Sequence, residues 1–130
     1  MNKNQLLNLA REAKKNAYAP YSNFPVGAAL LAKDGRVFTG VNIENTSYGL
    51  TICAERAAIA AAVTAGIREF TMLALSTDAE EIIPPCGACL QVLAEFSSDL
   101  LLILDHKNSE PKEVYLNDLL PMSFRKPKGE

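Results

Sequence analysis

The chain contains three cysteines, and their spacing is typical of a site that binds one metal ion. Cys53 begins a Cys-Ala-Glu-Arg run, and Cys86 and Cys89 form a Cys-x-x-Cys pair that follows two prolines. Thiolates are good ligands for zinc, and catalytic zinc sites keep the fourth tetrahedral position for water. Glu55 follows the first thiol closely, so its carboxylate could act on a water molecule in that position. These residues indicate a zinc site that acts on water.

Both motifs stand at the starts of predicted helices. The partial positive charge of a helix N-terminus favours thiolate over thiol, and the spacing of Cys86 and Cys89 places both sulfurs on one helix face. Zinc with three thiolates carries a net negative charge, which opposes loss of a proton from a bound water. A cation beside the thiolates offsets this effect, so we predict that Arg56 compensates the charge of the cluster.

Simpler explanations exist for each of these residues. The cysteines could be small buried side chains, and Glu55 could be an acidic residue favoured in the first turn of a helix. Arg56 would ordinarily be a surface charge. A closed structural zinc site would need a fourth protein ligand, for which the single histidine, His106, is the candidate. The combination of Cys-x-Glu with a proline-preceded Cys-x-x-Cys favours the catalytic interpretation.

Two further segments contain residues that could contact a substrate. Asn42 and Glu44 occupy alternate positions just past a predicted strand, so their side chains can point the same way. An amide and a carboxylate suit a vicinal diol, although a loop that only needs turn formers would look similar. Phe24 lies in a loop beside a proline, where it could stack on a substrate or belong to the core.

The hydrophobic pattern predicts the elements that position these residues, in the order α-β-β-α-β-α-β-β. This order predicts an α/β fold, with a mixed five-stranded sheet sandwiched by helices, in a single domain over residues 1–130. The predicted elements are a helix over 3–17, strands Val26–Ala32 and Val37–Val41, a helix Ile52–Ala65 capped by Thr51, strand Thr71–Ser76, helix Cys86–Phe96, strands Leu100–Leu104 and Glu113–Leu116, a last helical turn capped by Asn117, and a frayed tail over 125–130.

The composition and charge of the chain limit the kinds of partner that it could have. The net charge is −2 and the thirteen basic residues are scattered, which argues against a nucleic-acid partner and favours a small molecule. The apolar run 57–67 is far shorter than the ~20 residues that span a bilayer, so no membrane partner is expected. The N-terminus does not look like a signal peptide. An odd number of cysteines with a Cys-x-x-Cys pair and without an export signal favours metal or thiol chemistry over disulfides, in a reducing, cytoplasmic setting.

Taken together, these motifs resemble those of the zinc-dependent cytidine deaminases, most closely the small homotetrameric type with three cysteines. The resemblance covers nearly the whole chain. Leu90 departs from it, because the family usually has arginine there. The matching residues are Tyr18-Ala19-Pro20-Tyr21-Ser22, Phe24, Val26-Gly27-Ala28-Ala29-Leu30, Asn42-Ile43-Glu44-Asn45, Cys53-Ala54-Glu55-Arg56, Pro85-Cys86-Gly87-Ala88-Cys89, Leu119-Leu120-Pro121 and Phe124.

The resemblance implies hydrolytic deamination of cytidine and deoxycytidine in pyrimidine salvage, with release of ammonia. It implies that the three cysteines bind one zinc ion per subunit and that Glu55 shuttles protons. It also implies that Tyr48 and Phe124 reach across from neighbouring subunits of a homotetramer. The implied substrate contacts are Phe24, Asn42, Glu44, Tyr48, the amide of Ala54, the carbonyl of Pro84, and Phe124.

Three alternatives remain at this stage. A relative could act on another aminopyrimidine nucleoside or an antibiotic analogue. The Asn42 and Glu44 pair argues for a substrate that contains a ribose. A nucleic-acid editor would need a basic groove, which the scattered charges do not suggest. A non-enzymatic zinc module would need a fourth protein ligand and would leave Glu55 without a task.

Overall fold

The computed structural model describes residues 1–127 of the chain, so residues 128–130 of the predicted domain and tail lie outside the described residues. The strands form one mixed sheet in the order β2-β1-β3-β4-β5. β3 and β4 pair in parallel, and the other neighbouring pairs are antiparallel. The predicted mixed five-stranded sheet is confirmed. The strands are β1 Val26–Ala32, β2 Val37–Val41, β3 Phe70–Thr77, β4 Leu101–Leu104 and β5 Lys112–Tyr115.

Helices cover both faces of the sheet, as predicted. α1 (Lys3–Lys14) packs on one face, and α2 (Ala54–Thr64), α3 (Gly87–Ala94) and α4 (Leu116–Leu119) pack on the other. A short 3-10 helix, Tyr48–Leu50, precedes α2. Within residues 1–127, no helix combines the length and the apolar character needed to cross a membrane.

β1 is apolar along its whole length because both of its faces are buried. Successive side chains of a strand point to opposite faces, so Ala28 and Leu30 belong to the core under α2, whereas Ala29 and Leu31 pack under α1. The Asp-Gly turn after β1 is a preferred hairpin turn. The bounds of β1 and β2 are the predicted ones.

Gly40 allows β2 and α2 to approach each other closely. A Cβ atom at this position would collide with the backbone of Ala54 and Ala58 in α2. The first turn of α2 therefore rests directly on the end of β2. Because Asn42 follows β2 and Cys53 precedes α2, this contact brings the two predicted binding segments side by side.

The prediction that Thr51 caps α2 is wrong. The helix begins at Ala54 with Cys53 as its N-cap, and Thr51 instead ends the 3-10 helix. The reason is a long-range pairing. Ile52 and Ile43 exchange two backbone hydrogen bonds of 2.9 and 3.0 Å, which keep the chain extended up to Cys53.

Other boundaries also differ from the prediction. α1 ends at Lys14, earlier than expected, because Tyr18 forms a parallel bridge with Ile43 and the chain must leave the helix to reach it. The predicted cap Asn117 lies inside α4, whose N-cap is Tyr115. β5 runs straight into this helix, and the amide of Leu116 still donates to the carbonyl of Leu100 at 2.9 Å.

Candidate active site

The N-termini of α2 and α3 meet and bring the three cysteines together. All three Sγ atoms lie within 4.8 Å of one another, and those of Cys86 and Cys89 are 3.5 Å apart. Sulfurs bound to a tetrahedral zinc lie about 2.3 Å from the ion and therefore about 3.8 Å from each other. The sulfur cluster fits a single zinc ion.

Two of the sulfurs belong to helix N-caps. Cys53 caps α2 and Cys86 caps α3, both with extended backbone. Burial raises the pKa of Cys86, but hydrogen bonds from the backbone of Cys89 and Ala88 and from the neighbouring thiols outweigh burial and hold that pKa below its ordinary value. Burial, the charge of Glu55 and the neighbouring sulfurs all raise the pKa of Cys89. A bound cation is what allows all of them to be thiolates together.

His106 is not a fourth ligand. It lies in the turn after β4, where its Nδ1 accepts a hydrogen bond of 3.2 Å from the amide of Asn108. Within residues 1–127, the cluster of possible ligand atoms contains the three cysteines and no histidine, aspartate or glutamate. The protein thus offers three ligands to a tetrahedral ion and leaves one position for water, as catalytic zinc sites do.

Glu55 is buried beside this cluster, in the first turn of α2, with 5% of its surface exposed. Burial raises the pKa of its carboxyl group, while its own amide, Cys89 and the charge of Arg56 oppose that rise. A carboxyl group whose pKa is raised toward neutrality can both accept and return a proton. The position of Glu55 suits a general acid–base group.

Arg56 lies against the sulfurs rather than in solvent. Its Nη2 atom is 3.6 Å from Cys53 Sγ, and hydrogen bonding to Cys53 is the main reason that its pKa is raised. Its Nε atom is buried and has no hydrogen-bond partner within residues 1–127. The guanidinium group therefore places a fixed positive charge next to the sulfur of Cys53.

A cavity of about 280 Å³ opens beside the cysteines, which is close to the lower limit of about 300 Å³ for ligand pockets. It brings together most of the predicted contact residues with two of the cysteines and Glu55. Several other residues that line it had not been identified from the sequence. The predicted residues in the cavity wall are Phe24, Asn42, Glu44, Ala54 and Pro84, and the additional ones are Ser22, Val26, Thr51, Leu75, Thr77 and Ile83.

Asn42 is buried and holds the loop that carries Phe24. Its Oδ1 accepts a hydrogen bond of 2.9 Å from the amide of Val26, and its Nδ2 donates one of 2.9 Å to the carbonyl of Phe24. A side-chain amide has two donor hydrogens and two acceptor lone pairs. One of each is left, so Asn42 can hold the loop and still contact a ligand.

Glu44 is held by the loop before β1. Its Oε1 accepts hydrogen bonds from the amides of Tyr21 and Ser22 at 2.9 and 3.1 Å, and its Oε2 accepts one from the hydroxyl of Ser22. The Ser22 hydrogen bond is the main cause that holds the pKa of Glu44 below its usual value. Glu44 is therefore a fixed carboxylate at neutral pH.

Tyr48 and Phe124 lie outside this cavity. Tyr48 is 74% exposed and lines a smaller neighbouring cavity of about 210 Å³. Its ring packs edge-on against the ring of Tyr21, which lines the same cavity. Phe124 is 81% exposed, and its backbone amide and carbonyl are both bonded to the side chain of Gln91. Neither residue contributes to the cavity of its own chain.

Leu90, where the family usually has arginine, faces inward from α3. It is 6% exposed and belongs to the apolar core under α2 and α3. This position therefore contributes packing under the metal-binding turn instead of a polar contact.

The chain matches known proteins over nearly its whole length. Residues 1–104 match the family described as "Cytidine and deoxycytidylate deaminase zinc-binding region". A cytidine deaminase of Halalkalibacterium halodurans is 46% identical over 125 residues, 95% of each protein. The crystal structure of cytidine deaminase from Burkholderia pseudomallei is similar with a TM-score of 0.92 at 45% identity, covering 95% of this chain and 100% of that one. That of Mycobacterium tuberculosis gives a TM-score of 0.83 at 45% identity, covering 97% and 99%.

Proposed function

The chain belongs to the zinc-dependent cytidine deaminase family, and from that premise we propose that it hydrolyses cytidine and deoxycytidine to uridine and deoxyuridine with release of ammonia. The observation that carries the proposal is the placement of Glu55 beside three sulfurs in a cavity that also holds Asn42 and Glu44. In this cavity, Glu55 and the sulfurs suit hydrolysis, and Asn42 and Glu44 suit the binding of a sugar.

The chemistry follows from the residues around the cavity. When bound to the three cysteines, zinc lowers the pKa of a coordinated water toward ~7. Glu55 takes a proton from the water and gives it to ring N3 of the base, which makes C4 electrophilic. After water oxygen bonds to C4, Glu55 carries the second proton to the amino group, and the C–N bond breaks. Water and cytidine thus become uridine and ammonia.

The remaining cavity residues hold the nucleoside. The amide of Ala54 belongs to the first turn of α2, whose N–H groups lack partners within the helix, and it donates to the 2-oxo group. The carbonyl of Pro84 accepts from the departing amine. Phe24 packs against the pyrimidine, and Asn42 and Glu44 bind the sugar hydroxyls.

A nucleoside suits this cavity better than a nucleotide. The family description names both cytidine and deoxycytidylate enzymes, so the charge of the cavity decides between them. Among the described residues that line it there is no lysine, arginine or histidine, and there are two carboxylates, Glu44 and Glu55. A phosphate group would meet repulsion and no cation. The same argument disfavours a nucleic-acid strand as the substrate.

Assembly and setting complete the proposal. We infer a homotetramer in which Tyr48 and Phe124, exposed on the single chain, close the cavities of neighbouring subunits. We also infer one domain over residues 1–130, acting in the cytoplasm in pyrimidine salvage. The exposure of these two large aromatic side chains on the single chain supports an interface.

The direct test is the loss of ultraviolet absorbance of cytidine at pH 7, followed with the purified zinc-loaded protein. We expect turnover that a chelator abolishes and added zinc restores. Glu55→Ala should retain one zinc per chain and a native far-ultraviolet spectrum, while kcat falls by more than the roughly 10²- to 10⁴-fold typical of one acid–base group. Near-normal turnover by a zinc-replete Glu55→Ala protein would exclude the proposed proton shuttle. Equal turnover of deoxycytidylate would contradict the charge argument.

A further inference from the structure

A single hydroxyl group, that of Ser22, links the two sides of the cavity. It donates a hydrogen bond to Oε2 of Glu44 and accepts one of 3.1 Å from the amide of Phe24. A serine hydroxyl has one donor hydrogen and two acceptor lone pairs, so both contacts can exist at once. Ser22 itself lies in the wall of the cavity.

The loop that carries Ser22 has a defined conformation. Asn23, the next residue, adopts φ 56°, the left-handed region that asparagine tolerates better than most residues. Its amide donates a 3.0 Å hydrogen bond to the carbonyl of Ala19. This turn brings Phe24 back toward Ser22, and the carbonyl of Phe24 is held from the other side by Asn42. Both polar backbone groups of Phe24 are therefore fixed.

The carboxylate of Glu44 is fixed in the same way. Of its roughly four acceptor positions, three are filled by the amides of Tyr21 and Ser22 and by the hydroxyl of Ser22. The hydroxyl bond is the one that a side-chain substitution can remove. Without it, Oε2 loses its only side-chain donor within residues 1–127, and the carboxylate can rotate about its terminal bonds.

We propose that Ser22 is a positioning residue for this reaction: its hydroxyl holds the sugar-binding carboxylate of Glu44 at a fixed offset from Phe24, so that sugar and base are bound in one geometry. This inference rests on the proposed function, in which Glu44 contacts the sugar and Phe24 the base. Ser22 does not touch the reacting atoms; it acts through Glu44. Holding binding groups in place before the ligand arrives increases affinity without new contacts.

A purely structural role is the competing explanation. Serine commonly bonds to the amide two residues on, as it does here with Phe24, and such turns only shape the loop. A structural role predicts lower stability and an effect that is the same for every substrate. A positioning role predicts an effect that depends on the sugar hydroxyls and on Glu44.

The test compares Ser22→Ala and Ser22→Thr with the wild-type holoenzyme on two substrates. Cytidine carries both ring hydroxyls, and 2′,3′-dideoxycytidine lacks them; if its turnover is slow, it is measured as a competitive inhibitor of cytidine. We expect Ser22→Ala to raise KM for cytidine about five- to tenfold, the effect of one partly exposed hydrogen bond to a charged group, with kcat within about twofold. For the dideoxy compound the change should stay within about twofold, and Ser22→Thr, which keeps the hydroxyl, should restore the KM for cytidine.

A second comparison isolates the residue through which Ser22 acts. In a Glu44→Ala background, Ser22→Ala should change KM for cytidine by less than about twofold, because coupled residues are not additive. Equal KM penalties on both substrates, or an undiminished penalty without Glu44, would overturn the inference and leave the structural role. Wild-type protein that does not deaminate cytidine would instead refute the proposed function, and this inference with it.

Discussion

Cys53 and Arg56 show how the first turn of one helix can bring together side chains that lie close in the sequence. Because Cys53 is the N-cap, its side chain lies at the helix end, and a residue three positions on returns to the same side. Arg56 occupies that position and reaches the sulfur at 3.6 Å. Glu55, between them, is buried and lines the cavity. The spacing alone therefore places a ligand, a carboxylate and a cation around one point.

Removing the cation should weaken the reaction without dismantling the site. We predict that Arg56→Ala lowers kcat about 10- to 100-fold, the usual cost of losing a group that supports metal ligands, because the thiolates then oppose proton loss from the bound water. The measurement is kcat for cytidine with zinc content determined on the same sample. Arg68→Ala, an exposed arginine away from the cavity, is the control and should leave kcat unchanged. An unaltered kcat in zinc-replete Arg56→Ala would show that the guanidinium group has no such role.

At the scale of helices and strands, the sequence predicted the element boundaries that local interactions determine. The run from Val26 to Ala32 ends at an Asp-Gly turn, so β1 and β2 have the expected bounds. The Cys-x-x-Cys pair likewise placed the start of α3 within a residue. The start of α2 was missed because it depends on the pairing of Ile43 with Ile52, which no local pattern reveals.

The residues of the candidate site can be divided in the same way, into those that local sequence patterns predict and those that they do not. The proposed metal ligands, acid–base group and sugar-binding pair could be predicted because their spacing or chemical type is distinctive. Ser22 and Gln91 were not, because each contacts a residue more than twenty positions away and neither side chain is unusual by itself. The sequence also could not predict that Phe124 is exposed, because the exposure of an aromatic side chain depends on what the rest of the folded chain covers.

Gln91 joins α3 to the segment that carries Phe124. Its Oε1 accepts from the amide of Phe124 at 3.0 Å, and its Nε2 donates to the same residue's carbonyl at 2.9 Å. If Phe124 closes a neighbouring cavity, Gln91→Leu should raise KM for cytidine about three- to tenfold, the range for losing two partly exposed hydrogen bonds. Phe124→Ala should raise KM as well, and the double variant should be no worse than Phe124→Ala. KM increases that multiply in the double variant would show that Gln91 acts elsewhere.

Asp105 ties α1 to the sheet. Arg11 of α1 donates to it at 2.7 and 3.2 Å, and Ser76 of β3 at 2.9 Å. Burial by itself would raise the pKa of Asp105, but the hydrogen bonds from Arg11 and Ser76 outweigh burial, and the pKa lies below its usual value. A depressed folded-state pKa stabilises the protein above the unfolded-state pKa of about 3.9, and that stabilisation is lost as pH falls through the folded-state value.

We therefore predict that Asp105→Asn lowers the free energy of unfolding by about 2 kcal/mol at pH 7. The deficit relative to wild type should stay constant from pH 8 to about pH 5 and shrink below about pH 4. Urea unfolding of both zinc-loaded proteins at several pH values measures it, with the exposed Glu80→Gln as a control that should unfold like wild type. A deficit that grows as pH falls would contradict this account of Asp105.

At the scale of the whole molecule, several large apolar side chains remain exposed. Several of its large apolar side chains are exposed within the segments that lead into α2 or end the described chain, and α2 adds small exposed residues. Exposed apolar side chains grouped in this way are typical of an interaction site, and the net charge of only −2 would do little to oppose self-association. The exposed residues are Ile43, Tyr48, Leu50, Ile52, Phe124, Ala60 and Ala61.

A charge placed among these exposed side chains should separate the subunits of the proposed tetramer and impair the site at the same time. Leu50 is 66% exposed, so Leu50→Glu should leave a folded single chain while burying a carboxylate in any interface, at a cost of several kcal/mol. We expect light scattering to show a tetramer for wild type and smaller species for Leu50→Glu, with KM for cytidine raised because Tyr48 and Phe124 no longer reach a neighbouring cavity. Asn4→Glu adds the same charge to α1, on the opposite face of the sheet, and should remain tetrameric and active. A wild-type monomer that is fully active, or a Leu50→Glu protein that stays tetrameric, would place the interface elsewhere or remove it from the mechanism.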